Sequence, residues 1–502
     1  MLIKFRSVLL ILLILLPAIA FAFFLVFPLF TSFFIDDDLI FLGLGAQLKS
    51  EPLSFLTFTY GGWWRPLGFS FTAFLYLIFG FHPFPFHLTS FIAHLLAGFV
   101  IYLLAGRLFE HRMGLVAAAL FIISPSIMPI MGYVSFAWLD ELATTLILLA
   151  LYIALCPPLR LDKNFTHFLF PGLLMLLASF CKESWVGFLP AFLFIDLKLF
   201  VKSTIVKRLV RLLPIGLPAL FLPLRFLIPG IDAPIDVPIT YANTFFSIEN
   251  LTSGLVLPFL ANPFGDEYPI TIFILLVLPT LAFFFFYRSL RDWHRFLILA
   301  TSFILSGILL AFSYLGNNYW GWLHLTPLVA LASILISYII VKGFRLKKVW
   351  LYPVIVAYLG VFLYGVFQSS VTSREVLLDY AQKYKAQYQS FAKLIGNLPE
   401  DAHIFGFANM SPYLANDVFI KPPARYTCVR IKAKRLGMGS CNGYMIEGNL
   451  DYVRNCLMSY AESDNNRFMI LVNDLWCDKT EEISRMIKDK TRIDYRAVYS
   501  LE

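Results

Sequence analysis

Charge is what this sequence has little of. Only 14% of its 502 residues are Asp, Glu, Lys or Arg, 59% are hydrophobic, and the mean hydropathy is +0.75. A soluble domain of that composition would expose large apolar patches, which leaves a polytopic membrane protein. The apolar run from Val8 to Phe30 is too long for the apolar region of a secretory leader. It reads as an uncleaved signal anchor with the N-terminus in the cytoplasm. The six cysteines include no C-x-x-C and no nearby histidine pair, which argues against a zinc site. The net charge of +8 sits in short loops, the pattern of membrane topology, so nucleic acid is not an expected partner.

What is present is a series of apolar runs. At roughly 20 residues per crossing, about eleven spans are expected: 8–33, 88–106, 113–131, 139–156, 165–181, 185–200, 209–228, 269–287, 296–315, 323–341 and 349–369. Basic residues (Arg107 and Arg112, Arg160 and Lys163, Lys198 to Arg211, Arg288 to Arg295, Lys342 to Lys348) fall on one side of this scheme. Acidic ones (Asp36 to Asp38, Asp140 and Glu141, Asp232 and Asp236, Asp266 and Glu267) fall on the other. Counting 65–81 as a span would invert every later loop, so it is read as a helix lying in the outer interface, as is Leu251 to Leu260. Residues 1–371 then form the transmembrane domain, in which 35–87 is a first external loop with interfacial helices.

Long apolar runs vanish after about Thr372, and an odd number of spans places 372–502 outside. A helix over 373–399, strands at 402–408 and 467–474, a helix at 479–490 and a strand at 495–501 predict a small extracytoplasmic α/β domain. The fold class is thus mostly α and polytopic, with that domain at its C-terminus. Cys428, Cys441, Cys456 and Cys477 lie in it and fit two disulfides, with three connectivities open.

Ionisable residues at a membrane surface are expensive, and are candidates for function. Asp36, Asp37 and Asp38 stand together where the first apolar run ends, and mutual repulsion makes the cluster costly. Asp140 and Glu141 open a span, where a helix N-terminus alone favours acidic residues; Asp266 and Glu267 fit an ordinary solvated turn. Three cations share the acidic side: Arg65 in GGWWRPL, Lys182 in ASFCKESWVG and Arg225 in LFLPLRFLIPG. Snorkelling explains any one of them. Three together point to an anionic ligand such as a lipid phosphate. Group transfer from a polyprenyl phosphate needs both kinds of residue: a carboxylate to take the acceptor's proton, cations to stabilise the departing phosphate.

These segments resemble the GT-C superfamily of glycosyltransferases, in particular bacterial relatives of the transmembrane and tetratricopeptide O-mannosyltransferases. FIDDDLIFL is similar to that group's acidic pair, Asp37 and Asp38, with Leu42 beyond it. WWRPLGFSFTAFLYLIFGFHPFPFHLTSFIAHLLAG is similar to its Arg-Pro-Leu helix, Phe-Gly turn and paired histidines, His87 and His94. CKESWVGFLP is similar to its Lys-Glu-Ser segment, and Arg225 falls where a span-end arginine is usual. His324 stands where the relatives carry an arginine.

The resemblance implies an inverting transferase of the outer face of the plasma (inner) membrane, with a polyprenyl-phosphate sugar donor and a protein or glycolipid acceptor. It implies Asp37 as base, Asp38 or Asp36 orienting it, and Asp140 as a second acidic site. Arg65, Lys182 and Arg225 would bind the donor phosphate, and His87, His94, Glu183 and His324 are candidate substrate contacts. The two histidines have a structural alternative, hydrogen bonding within the bundle. The resemblance fixes no cofactor; a divalent ion between Asp37 and the donor phosphate stays open, since only some members use one. A transporter or lipid flippase is the rival reading, but it calls for paired repeats and mid-membrane charges.

Overall fold

The computed structural model describes residues 2–35, 37–58, 64–155, 166–182, 188–199, 204–220, 326–345 and 351–396, with short strands between 403 and 500. Its described part is mostly helical, and three helices are long and apolar enough to cross a membrane: Leu13–Thr31, Pro83–Leu108 and Ala137–Leu155. The chain groups into two compact units. One comprises Met1–Thr31, Thr57–Phe69 and Phe84–Leu378, the other Ser32–Leu56, Ser70–Pro83 and Asp379–Glu502.

In the first unit, α1 (Leu2–Val26) ends in a 3-10 turn and packs on α6 (His111–Ile122). The 26 residues of α5 (Pro83–Leu108) give it a length of about 39 Å, enough for a bilayer core. Its two apolar faces differ in what they meet. Phe84, Leu88, Ile92, Leu96 and Phe99 are exposed, as lipid-facing residues are, while His87, Ser90, His94, Ala97 and Ile101 are buried. The expected single span over 113–131 is interrupted: α6 stops at Ile122, the chain turns through Ser124 and Pro125, and a short α7 (Ile127–Gly132) follows. Proline lacks the amide that would continue the ladder, and the Ser124 hydroxyl takes the Phe121 carbonyl at 2.6 Å. A five-residue π-turn (Ala137–Glu141) leads into α8 (Leu142–Leu155), which packs on α9 (Thr166–Ser179).

Beyond α10 (Leu189–Leu199), α11 (Ile205–Leu212) is amphipathic and passes into a 3-10 stretch (Leu213–Leu220), so the span expected over 209–228 does not begin as one regular helix. Asp196 of α10 is buried and receives hydrogen bonds from Arg211 at 2.7 Å and Arg208 at 3.0 Å. Ile205, Val206, Leu209 and Val210 face outward. α12 (Thr326–Arg345) packs on α6. The 46-residue α13 (Leu351–Gly396) is continuous, joining the expected last span to the helix expected after it. Arg374 donates to the Leu25 carbonyl near the C-terminus of α1 at 3.4 Å, where arginine also suits the helix dipole.

The second unit contains α2 (Asp37–Leu48), the one-turn α3 (Ser54–Thr57, shared at its last residue with the first unit) and most of α4 (Pro66–Phe79). α4 rises about 21 Å over its 14 residues, short of a bilayer core near 30 Å. It ends at Gly80, whose φ of +62° is the left-handed conformation that a side chain opposes; its amide donates to the Tyr76 carbonyl at 2.8 Å. Further along, β1 (His403–Gly406) lies between β2 (Arg425–Cys428) and β5 (Phe468–Val472), and β6 (Val498–Ser500) pairs with β5. All three pairings are parallel, which requires crossover connections of a dozen or more residues. β3 (Ala433–Arg435) and β4 (Tyr444–Ile446) form a separate antiparallel pair.

Candidate active site

The most concentrated group of buried charges in the described part of the first unit is built from three segments. The first is the π-turn. Its widened loop closes with the Leu142 amide on the Ala137 carbonyl, five residues back, and it carries both Asp140 and Glu141. Insertions of this kind occur inside helices and often mark functional positions. Both carboxylates are buried, Asp140 at 1% and Glu141 at 0% exposure. The Thr144 and Thr145 hydroxyls donate to the Asp140 and Glu141 carbonyls at 2.7 and 2.8 Å.

The second segment leaves the end of α9 through Phe180 and Cys181 to Lys182. Here the Lys182 ammonium donates to the Asp140 carboxylate as an ion pair with both partners buried. The third is the start of α4. Pro66 opens it, a position where the missing amide costs nothing, and the next two amides, of Leu67 and Gly68, donate to the Phe180 carbonyl at 3.2 and 3.4 Å. Gly68 is needed there. A Cβ would lie 2.5 Å from Leu139 Cδ2 and 3.3 Å from the carbonyls of both Cys181 and Trp138. Trp64 meets Phe180 edge-on, with ring centroids 6.1 Å apart. Arg65 is half-buried and directly precedes the amides that bind the Phe180 carbonyl, which places it at this junction.

His94 on α5 joins the π-turn from another side. Its Nδ1 lies 2.9 Å from Glu141 Oε1, and its ring stacks on Phe121 with centroids 4.6 Å apart. His87 is also buried, with Nδ1 2.6 Å from the Met131 carbonyl. Both histidines are therefore hydrogen-bonded within the bundle. The fold thus gathers Arg65, Lys182, Asp140 and His94, four of the residues singled out in the sequence. Glu141, the neighbour of Asp140 in the acidic pair that opens the span, joins them through His94.

In the second unit, Asp37 opens α2 and Asp38 follows in its first turn. Asp38 is fully buried; its amide donates to the Ile35 carbonyl at 3.0 Å, and its Oδ2 accepts from the Ile35 amide at 3.5 Å. A helix N-terminus favours carboxylates, which offsets part of the repulsion within the cluster. Asp36, Glu183, Arg225 and His324 lie outside the described residues, as do Cys441, Cys456 and Cys477. Among the described residues no three His, Cys, Asp or Glu side chains converge as metal ligands would.

Residues 65–227 match the family described as dolichyl-phosphate-mannose-protein mannosyltransferase. The match begins at Arg65 and takes in Lys182, Asp140 and both histidines. Over that segment, about a third of its length, the chain is similar to membrane glycosyltransferases. The sequence matches none of the curated proteins. Among solved structures it is similar to ArnT from Cupriavidus metallidurans bound to undecaprenyl phosphate, with 14% identity and a TM-score of 0.49 over 83% of this chain and 86% of that one. It is also similar to the Archaeoglobus fulgidus oligosaccharyltransferase in the apo form, with 15% identity and a TM-score of 0.47. That likeness covers 83% of this chain and 64% of the archaeal one.

Proposed function

We propose that the protein is a membrane glycosyltransferase that moves a sugar from a polyprenyl-phosphate donor to a hydroxyl of a protein or glycolipid acceptor, at the outer face of the plasma membrane. The observation that carries this reading is the junction of Arg65, Lys182 and Asp140 inside the segment that matches a family described by its dolichyl-phosphate-linked mannose. Asp37 takes the proton from the acceptor hydroxyl, whose oxygen attacks the anomeric carbon from the side opposite the phosphate. The bond to phosphate breaks, its electron pair leaves with the polyprenyl phosphate, and configuration inverts. Asp36 or Asp38 orients the base. Asp38, buried at the start of α2, is suited to hold that turn in place.

Arg65, Lys182 and Arg225 stabilise the charge gathering on the departing phosphate. An ammonium has three protons to donate, so a carboxylate and a phosphate oxygen can share Lys182. Asp140 then serves to hold that ammonium in position. Glu183 and His324 are candidate contacts to sugar or acceptor. His87 and His94, bonded through Nδ1, could offer a substrate only Nε2.

The test is transfer of labelled sugar from a polyprenyl-phosphate hexose in proteoliposomes, with donor binding measured alongside. Asp37→Asn keeps size and polarity but removes the base, and transfer should fall by about 10²–10⁴-fold while donor binding persists. Lys182→Ala or Arg225→Ala should weaken donor binding. Normal transfer with Asp36, Asp37 and Asp38 all changed to Asn would sink the mechanism and bring the transporter reading forward.

A further inference from the structure

We infer that Glu141 is a positioning residue, held by His94 so that the π-turn aims Asp140 at Lys182. This rests on the reading of Lys182 and Asp140 as part of the transfer site. Two acidic neighbours in sequence are captured by different elements: Glu141 by His94 on α5, Asp140 by Lys182 beyond α9. Successive residues of a regular helix point about 100° apart, and the five-residue turn adds a residue to the loop that carries both. Main chain and side chain are fixed together, since the Thr144 and Thr145 hydroxyls hold the two carbonyls. His94 is immobilised in turn by its stack on Phe121 of α6. One carboxylate therefore ties α5 and α6 to the turn that carries Asp140.

Packing alone gives no reason for this pair. Glu141 Oε2 and His94 Nε2 are buried with no hydrogen-bond partner among the described residues. A half-satisfied polar pair is a poorer glue than well-packed apolar side chains. What the pair supplies is direction: a hydrogen bond fixes where the turn points, and a misplacement of about 1 Å at a reacting centre can cost around 10²-fold in rate.

The experiment uses the full chain in detergent or proteoliposomes and reads two quantities. The first is kcat and KM for a polyprenyl-phosphate hexose per folded molecule. The second is alkylation of Cys181 by N-ethylmaleimide, located by mass spectrometry; this thiol is buried beside Lys182 and reports the seating of that segment without reference to activity. Glu141→Ala should lower kcat by about 10–100-fold with KM within about two-fold, and should speed alkylation of Cys181. Glu141→Gln should retain most of kcat, because its amide oxygen still accepts from His94 Nδ1–H. His94→Ala should match Glu141→Ala, and the double variant should be no worse than either.

If Glu141→Ala yields no folded protein, Glu141→Asp, which withdraws the carboxylate by one methylene, is read in its place with the same expectation. Glu141→Gln as slow as Glu141→Ala would place the carboxylate in the chemistry and overturn the positioning role. Wild-type kcat with an unreactive Cys181 in Glu141→Ala would overturn it as well. Faster alkylation of Cys181 in a chain that transfers no hexose even as wild type would count against the proposed activity and support the positioning.

Discussion

At the scale of single residues, the Lys182–Asp140 pair is the feature with the largest energetic consequence. Each member buried alone would cost several kcal/mol; together they satisfy one another. Lys182→Ala or Asp140→Ala leaves an uncompensated buried charge, and should destabilise the protein by about 3–5 kcal/mol. Replacing both at once, Lys182→Met with Asp140→Leu, should recover most of that stability while transfer stays lost. Thermal unfolding in detergent and hexose transfer, measured on the same three variants, check this. Stability that stays low in the double variant would show that packing around the pair, rather than its charge, is at stake. The cations and carboxylates of this junction were legible as isolated charges in an apolar chain. Their pairing was not, because Asp140 and Lys182 lie 42 residues apart, and Glu141 finds His94 only through α5.

At the scale of elements, the sequence was most readable where length and charge constrain it. The loop charges argued against a full span over 65–81, and the helix that forms there, α4, has 14 residues. The break in the expected span over 113–131 was hidden by apolar residues on both sides of Ser124 and Pro125, although proline marked the place. The continuity of α13 was hidden differently. The composition changes near Thr372 because the surroundings change, yet no glycine or proline interrupts residues 366–395. In the last portion, strands at 403–406, 468–472 and 498–500 fall inside the apolar runs that predicted them, whereas β2 (RYTC) and β3 (AKR) are largely polar and β4 (YMI) is apolar over three residues only. α2 was not anticipated, with two glycines inside it. At the end of α4, Gly80→Ala should cost about 1–2 kcal/mol. Its Cβ would meet nothing within 4 Å, so the whole penalty is conformational. Gly80→Asn, which tolerates the left-handed region, should cost less; thermal midpoints of the two variants decide between conformation and crowding.

At the scale of the molecule, the C-terminal portion is expected outside, and a reporter fused after Glu502 should be active there. Activity only in the cytoplasm would change the span count. Mass spectrometry of the unreduced protein should find Cys428, Cys441, Cys456 and Cys477 in two disulfides, and four free thiols would refute that. The two compact units also divide the chain in an interleaved way, since the second takes residues from 32–56 and 70–83 and then from 379 onward. A ribosome adding about 5–20 residues per second reaches Asp379 roughly 15–60 s after it has passed Pro83. For that interval the early segments have only each other. They have the means to wait: Gly45 seats against Ala73 and Tyr76, Phe55 against Phe74, and the Lys49 ammonium lies over the Tyr76 ring. Phe33 and Phe81, already together, gain Tyr388 only when the last stretch arrives. This unit is therefore finished by the end of synthesis and not before, so a ribosome stalled anywhere in the intervening spans holds a chain whose first half-unit is made and whose second half does not yet exist.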